Sequence, residues 1–317
     1  MSRMGPTFAS DAASARIPAT SANLGPGFDA LGLALQLYDD VTARVTGEGF
    51  RVEVTGEGAG ELPTGAGHLV VRAMLAAFDE LGGRPPGLAV RCVNRIPQAR
   101  GLGSSSAAVV AGVQLARALV KDGFRRLGDD DALGLATRLE GHPDNVAPCL
   151  LGGFTIAWLE GPGARAVRLA TAAGVRPTIF VPKERGYTAT ARRALPSAVP
   201  HADAAFNAGR SALLVHALTA DPGLLFPATE DRLHQGYRAD AMPGTASLVA
   251  GLRSVGVAAV VSGAGPTVLA LTEVPGDFHP GTEWRAETLA VDGAGALVKG
   301  SMVEHAERTT VAAGRTS

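Results

Sequence analysis

Pro97-Gln98-Ala99-Arg100-Gly101-Leu102-Gly103-Ser104-Ser105-Ser106-Ala107-Ala108 stands between an alternating apolar run and a long stretch of alanines and valines. It reads as a strand-to-helix connection. Its glycines let the backbone approach an anion closely. The first-turn N–H groups of a helix opening near 104 point into the loop, with the positive end of the helix dipole behind them. The serines add hydroxyls for phosphate oxygens or a metal. The loop is not a Walker A sequence, because the GK[ST] ending is missing and the nearest lysine is Lys121. Nor is it G-x-G-x-x-G, since Ser106 stands where the third glycine belongs. The plain alternative is a helix start whose serines satisfy backbone donors.

Outward from this loop the elements fall into a mixed α+β order without strict βαβ alternation. Leu88, Val90 and Cys92 alternate as a strand, and 68–81 has the helical spacing Val70, Met74, Ala77, Phe78, Leu81, ended by Gly82-Gly83. Val41, Ala43 and Val45, the turn Thr46-Gly47-Glu48-Gly49, and Phe50, Val52 and Val54 read as a β-hairpin. A helix over about 129–140 begins on three aspartates at its positive end. Glu160-Gly161-Pro162-Gly163 is the strongest boundary signal. It divides the chain into a frayed tail at 1–15, an N-terminal domain over 16–160, a C-terminal domain over 165–300 and a second tail at 301–317. The second half reads as strands near 165–182, helices near 188–195, 201–218 and 245–255, and strands at 257–261 and 267–272. The last two are joined by Ser262-Gly263-Ala264-Gly265-Pro266.

Composition sets the function classes. The chain has 317 residues, 46% of them apolar, which is ample for a large core. Lys+Arg is 29 against Asp+Glu 30, so the balance gives no electrostatic basis for a nucleic-acid or acidic-lipid partner. No apolar run approaches a membrane span, and 1–16 has no signal-like segment. Two cysteines, Cys92 and Cys149, make neither a disulfide framework nor a CxxC site. The expectation is a soluble cytoplasmic protein. Only three basic residues are lysines (Lys121, Lys183 and Lys299), so any phosphate-binding lysine must be one of these.

Three ordered stretches resemble the GHMP small-molecule kinases. Pro97-x-x-x-Gly101-Leu102-Gly103-Ser104-Ser105 is similar to their nucleotide loop. Pro18-Ala19-Thr20-Ser21-Ala22-Asn23-Leu24-Gly25-Pro26-Gly27-Phe28-Asp29 resembles the first motif, and Ser262-Gly263-Ala264-Gly265-Pro266-Thr267 the third. The resemblance implies a two-domain α+β fold with the active site in the interdomain cleft. It also implies ATP and Mg²⁺ as cofactors. On that reading ATP meets His68, Pro97, Arg100, Gly101, Leu102, Gly103, Ser104, Ser105, Ser106, Ala107, Gly263 and Gly265, and Ser105 with Glu140 holds the metal. Two protein oxygens are chemically sufficient, because magnesium fills its remaining positions with phosphate and water.

Within the family, Glu140-Gly141-His142-Pro143-Asp144-Asn145-Val146-Ala147-Pro148 looks like the homoserine kinase branch, as do Thr188-Ala189-Thr190-Ala191-Arg192 and Tyr237-Arg238. The resemblance runs from about 17 to 272 and implies phosphorylation of L-homoserine, on the route to threonine. The residues suit an amino-acid alcohol. Arg192 and Arg238 can grip a carboxylate through guanidinium forks. Asp29 and Asp144 suit an ammonium, and Asn23, His142, Asn145 and Thr188 complete the substrate side. Relatives that use a base carry aspartate where this sequence has Asn145. An amide has no useful basicity, so positioning and electrostatics carry the reaction, with Asn145, Asp29 and Asn23 at the chemistry and Asp29 as a direct base the rival view. Three departures stand out: only Gly141 separates Glu140 from His142, His68 replaces the usual asparagine near the base, and Gly236 replaces a common proline, loosening the approach to Arg238. The rival functions are a family kinase for mevalonate or a sugar, and a non-catalytic sensor of ATP and an amino acid. A homodimer stays open.

Overall fold

The computed structural model describes residues 7–8, 10–161, 163–186 and 188–299. Along the first half run β1 (Ala12–Ala22), β2 (Leu31–Thr46), β3 (Gly49–Gly56), α1 (Leu69–Glu80), β4 (Gly87–Asn94), α2 (Ser104–Leu119), the short α3 (Gly123–Arg126), α4 (Asp129–Glu140), α5 (Pro143–Leu151), β5 (Phe154–Glu160) and β6 (Gly163–Leu169). Then come β7 (Thr178–Pro182), α6 (Thr188–Arg193), α7 (His201–Thr219), α8 (Leu225–Ala228), α9 (Gln235–Arg238), α10 (Pro243–Ser254), β8 (Ala259–Val261), β9 (Val268–Ala270), β10 (Trp284–Thr288) and β11 (Leu297–Lys299). The strands form a seven-stranded sheet with the path β11-β1-β2-β4-β3, extended by β5 and β6 beside β2, and a four-stranded sheet ordered β10-β7-β9-β8. The α+β class read from the sequence is the one observed.

Helix α2 carries alanine and valine on nearly every face and is buried almost throughout, as a core helix must be. It packs on α1 where Gly112 lets the two helices meet: a Cβ there would lie 2.5 Å from the Val70 carbonyl oxygen. The main core lies between these helices and the first sheet. A smaller one, with Phe180, Leu252 and Val268, sits under α10. Among the described residues no helix is long and apolar enough to cross a membrane.

Three sequence expectations change. Positions 12–15, read as tail, open β1, with Ala13 and Ala15 3% exposed. Phe8, further upstream, meets Phe78 edge-on at 6.0 Å. Small residues hid this strand because alanine and serine carry little β signal. Residues 1–6 and 301–317 lie outside the described residues. The hairpin of 41–54 is not one: β3 pairs in parallel with β4, and β4 runs antiparallel to β2 between them. Alternation reports a strand's faces, not its neighbour. The Glu160–Gly163 reversal is a true hairpin, joining β5 to β6 inside the first sheet. The chain leaves that sheet only after Leu169 and returns to it through β11, which pairs with β1. The Gly-Pro-Gly run thus marks a turn, and Pro162 itself lies outside the described residues.

Candidate active site

The three sequence motifs meet. Ser262 donates to the Gly101 carbonyl at 2.7 Å and is hydrogen-bonded to the Ser21 hydroxyl at 2.8 Å. The Gly263 N–H donates to Ala22, and Thr20 N–H to Leu102. Asn23 spans two motifs: its amide donates to the Gly263 carbonyl at 2.8 Å and accepts from the Asp29 N–H at 2.9 Å. Asn23 is 4% exposed, and this bridging is the work its position shows. Gly101 (φ +75°) is packed so tightly that a Cβ would lie 2.2 Å from the Ser262 carbonyl oxygen.

Gly103 begins α2 in the left-handed region, with φ 70°. No side chain caps the helix and no acidic residue stands in its first turn, which leaves its first N–H groups for an anion. Ser105 donates to Glu140 Oε2 at 2.8 Å and Ser106 to Oε1 at 2.9 Å. The short Gly141 link therefore does not displace Glu140 from the loop. Ser106, expected at the nucleotide, is fully buried and holds Glu140. Arg100 stands in the same loop and is held by backbone. Its guanidinium donates to the carbonyls of Pro182 (2.9 Å), Gln98 (3.1 Å) and Lys183 (2.8 Å), pinning the loop to the end of β7.

One cleft collects most of the remaining candidates: Asn23, Asp29, Pro97, the 100–105 loop, Glu140, His142, Asp144, Asn145, Arg192, Arg238 and Gly263. Thr20 donates its hydroxyl proton to Asn145 Oδ1 at 2.8 Å, which turns the Asn145 NH₂ away from Thr20. Asp144 is 2% exposed, and its Oδ1 takes both the Asn145 N–H (2.9 Å) and His142 Nδ1 (2.6 Å). Its Oδ1 is committed to these partners, and the residue lines the cleft. That hydrogen bond, with further help from the Asp144 and Glu140 charges, raises the His142 pKa against the opposing effect of burial. Asp29 and Arg192 form a bidentate pair at 3.0 and 3.1 Å. Arg238 is 2% exposed, and its Nε donates to Ala191 at 3.1 Å. The approach through Gly236 is not loose. Asp231 accepts the N–H groups of Leu233, His234 and Gln235, and so fixes the start of α9. Thr188 is the first residue of α6, and its side chain lies outside the described residues. Gly265 (φ +82°) is not among the residues lining this cleft, and a Cβ there would lie 2.6 Å from Met242 Sδ.

Beside the loop opens a chamber of about 410 Å³ whose walls include Asp39, His68, Val70, Ser104, Ala107 and Ala108. His68 caps α1, its Nδ1 accepting from the Val70 N–H at 3.3 Å, so Nε2 carries the hydrogen. That donor is buried without a partner, and burial lowers the His68 pKa. A mainly apolar chamber beside an uncapped helix start has the shape and lining for a base followed by phosphates. Thr20, Ser21 and Ser262, which the sequence places in the motifs without a role, and Asp39, which no motif marks, act by holding others. Their signal was polarity inside a buried run: 17–27 is buried throughout yet contains Thr20, Ser21 and Asn23.

Comparison with known proteins agrees with this geometry. Residues 68–153 match the model for the GHMP kinases N terminal domain. Homoserine kinase from Streptomyces coelicolor is 56% identical over 298 residues, 93% of this chain and 96% of the relative. The enzyme from Streptomyces avermitilis is also 56% identical, over 93% of this chain and 98% of the relative. A crystal structure of homoserine kinase from Cytophaga hutchinsonii superposes with a TM-score of 0.77 at 28% identity, covering 91% of this chain and 98% of that one. Mevalonate diphosphate decarboxylase from Staphylococcus aureus, 17% identical, shares the fold with a TM-score of 0.61. With the Gly101–Ser105 loop, Glu140 and both arginines gathered at one cleft, and with relatives this similar over nearly their whole length, the chain belongs to the homoserine kinase family of GHMP kinases.

Proposed function

We propose that this chain transfers the γ-phosphoryl group of ATP to the hydroxyl of L-homoserine, giving O-phospho-L-homoserine for threonine synthesis in the cytoplasm. The observation that carries the reading is the single cleft in which an uncapped helix start, Glu140, Asn145 and two arginines face one another. In this reading the chamber at His68 takes the base, and the N–H groups at the start of α2 take the phosphates. Ser105 and Glu140 would hold Mg²⁺, which would supply positive charge to offset that of the phosphates.

On the acceptor side, Arg192 and Arg238 receive the carboxylate. Asp29 faces the ammonium once the substrate enters beside its pair with Arg192. Asn145 offers N–H donors to the cleft, because Thr20 occupies its oxygen. Donors aimed at the equatorial oxygens stabilise the transition state, and no carboxylate base is required. The Asp144 hydrogen bond raises the His142 pKa, and when protonated His142 adds positive charge next to the reacting phosphoryl. Arg100, Ser106 and Asn23 serve this machinery as supports.

The test is ADP release from Mg-ATP with L-homoserine, D-homoserine, L-serine, L-threonine, mevalonate and galactose. Turnover confined largely to L-homoserine is expected. Arg238→Ala is expected to raise the KM for homoserine at least about a hundredfold, since a charge-assisted fork is lost from a desolvated site. Turnover of mevalonate or galactose instead would overturn the acceptor. ATP binding without turnover of any alcohol would leave a sensor.

A further inference from the structure

We propose that His234 is a positioning residue for the acceptor site: its neutral imidazole orients Arg238 toward the substrate carboxylate and ties that orientation to the backbone of the first motif. The inference rests on the reading above that Arg238 receives the carboxylate.

The geometry fixes the tautomer. A guanidinium has donors and no acceptor, so the 3.1 Å contact between Arg238 Nη1 and His234 Nδ1 requires an unprotonated Nδ1. The ring hydrogen is then on Nε2, which donates to the Gly25 carbonyl at 2.8 Å. Both nitrogens are committed, and the side chain has no exposure to solvent. Burial lowers its pKa, which keeps the acceptor lone pair on Nδ1 at neutral pH. Asp231 lies 3.6 Å from Nε2, but its carboxylate already receives three backbone N–H groups.

Phe28 completes the arrangement. Its ring stacks on the imidazole at 5.0 Å and lies 5.4 Å from the Arg238 guanidinium carbon. Phe28 precedes Asp29, so one segment of the first motif touches histidine, arginine and the Asp29 carboxylate's own backbone. Arg238 spends Nε on Ala191 and Nη1 on His234, with Gly263 further off at 3.5 Å. This leaves the Nη2 hydrogens for the cleft that Arg238 lines. Ala191 immediately precedes Arg192, so the helix bearing the second arginine hangs from the first. Remove the Nδ1 acceptor and a buried guanidinium hydrogen is left unpaired, free to turn the fork away from the substrate.

Two substitutions separate the nitrogens. Asparagine places an amide oxygen near the former Nδ1, and glutamine places an amide N–H near the former Nε2. His234→Gln is expected to raise the KM for L-homoserine about tenfold to a hundredfold. The KM for ATP should stay within about twofold in both variants, because the nucleotide chamber is untouched, and His234→Asn, which keeps an acceptor for Arg238 but loses the bond to Gly25, should raise the KM for homoserine by a clearly smaller factor than His234→Gln does. With 3-amino-1-propanol, an acceptor lacking the carboxylate, wild type and His234→Gln should have equal kcat/KM. Equal losses in the Asn and Gln variants, or a Gln loss that persists with the carboxylate-free acceptor, would overturn the proposal. If wild type does not prefer homoserine to 3-amino-1-propanol, the carboxylate reading fails and takes this inference with it. Imidazole ¹⁵N NMR of the wild-type enzyme tests the same point without a variant. It should show a protonated Nε2 and a bare Nδ1 that responds to homoserine and not to 3-amino-1-propanol; a protonated Nδ1 would overturn the assignment.

Discussion

Asp39 shows what a single buried charge does where no motif marks it. It is 5% exposed at the wall of the chamber beside His68, and its Oδ1 accepts from the N–H groups of Arg95 at 2.6 Å and Ile96 at 2.9 Å. Burial outweighs those bonds and pushes its pKa up to about 6. The folded state then holds a proton between about pH 4 and pH 6 that the unfolded chain releases. Asp39 therefore contributes most stability below the unfolded pKa, and that contribution is lost as pH rises through 6. Asp39→Asn keeps the Oδ1 acceptor and has no charge to bury. It should be more stable than wild type by about 1–3 kcal/mol at pH 7.5 and show no gain at pH 3.5. Urea midpoints at the two pH values decide, and an equal gain at both would show that buried charge is not the cause. The residues legible from sequence were those whose chemistry points at a ligand, such as Glu140, Asn145 and Arg238. Those that were not, such as Asp39, Ser262 and His234, bond mainly to protein backbone or to another candidate, and only the fold brings those partners near.

The start of α2 is the element on which the proposed reaction depends. Its boundary at Ser104 was readable because two glycines and three serines precede a run of good helix formers. Its importance lies in what is missing, since α1 has His68 for a cap and α2 has none. Gly103 is held at φ 70°, and a Cβ there would lie 2.0 Å from Thr20 Oγ1 and 3.2 Å from Asn145 Oδ1. Gly103→Ala must therefore strain the backbone and push Thr20 off Asn145. We expect kcat/KM to fall at least about a hundredfold with the circular dichroism spectrum unchanged, because small misplacements at a reacting centre have costs of that order. Activity within tenfold of wild type would mean that neither the cap conformation nor the Thr20–Asn145 bond matters. The neighbouring α5 was hidden for the opposite reason. Pro143 opens it and Pro148 sits inside it, a composition that reads as loop, yet a Cβ at Gly32 would lie 2.1 Å from the Asp144 carbonyl oxygen and 2.7 Å from Pro148 Cγ, so β2 makes room for the helix there.

At the scale of the molecule, the cleft exists because chain segments more than 150 residues apart are fastened together. α+β mixing and the order of the three motifs were legible at this scale. The path of the sheets was not, because strand neighbours such as β4 between β2 and β3, or β11 beside β1, are set by long-range pairing. Ser262 is the most economical of the fasteners. It is fully buried, and its one hydroxyl joins the loop between β8 and β9 to Gly101 of the phosphate loop and to Ser21 of β1. Ser262→Ala removes a single oxygen and leaves two buried polar atoms without that partner, a loss of about 1–3 kcal/mol each where nothing replaces it. The urea midpoint should fall accordingly. The decisive readout is kinetic: if the fastener also sets the distance between the nucleotide and acceptor sides, kcat should drop about tenfold or more while the KM for each substrate moves little, since each half-site keeps its own contacts. A lowered midpoint with kcat unchanged would make Ser262 a stabilising contact and nothing more. The spacing of the two half-sites would then have to come from the remaining ties, Asn23 to Gly263 and Arg100 to the end of β7.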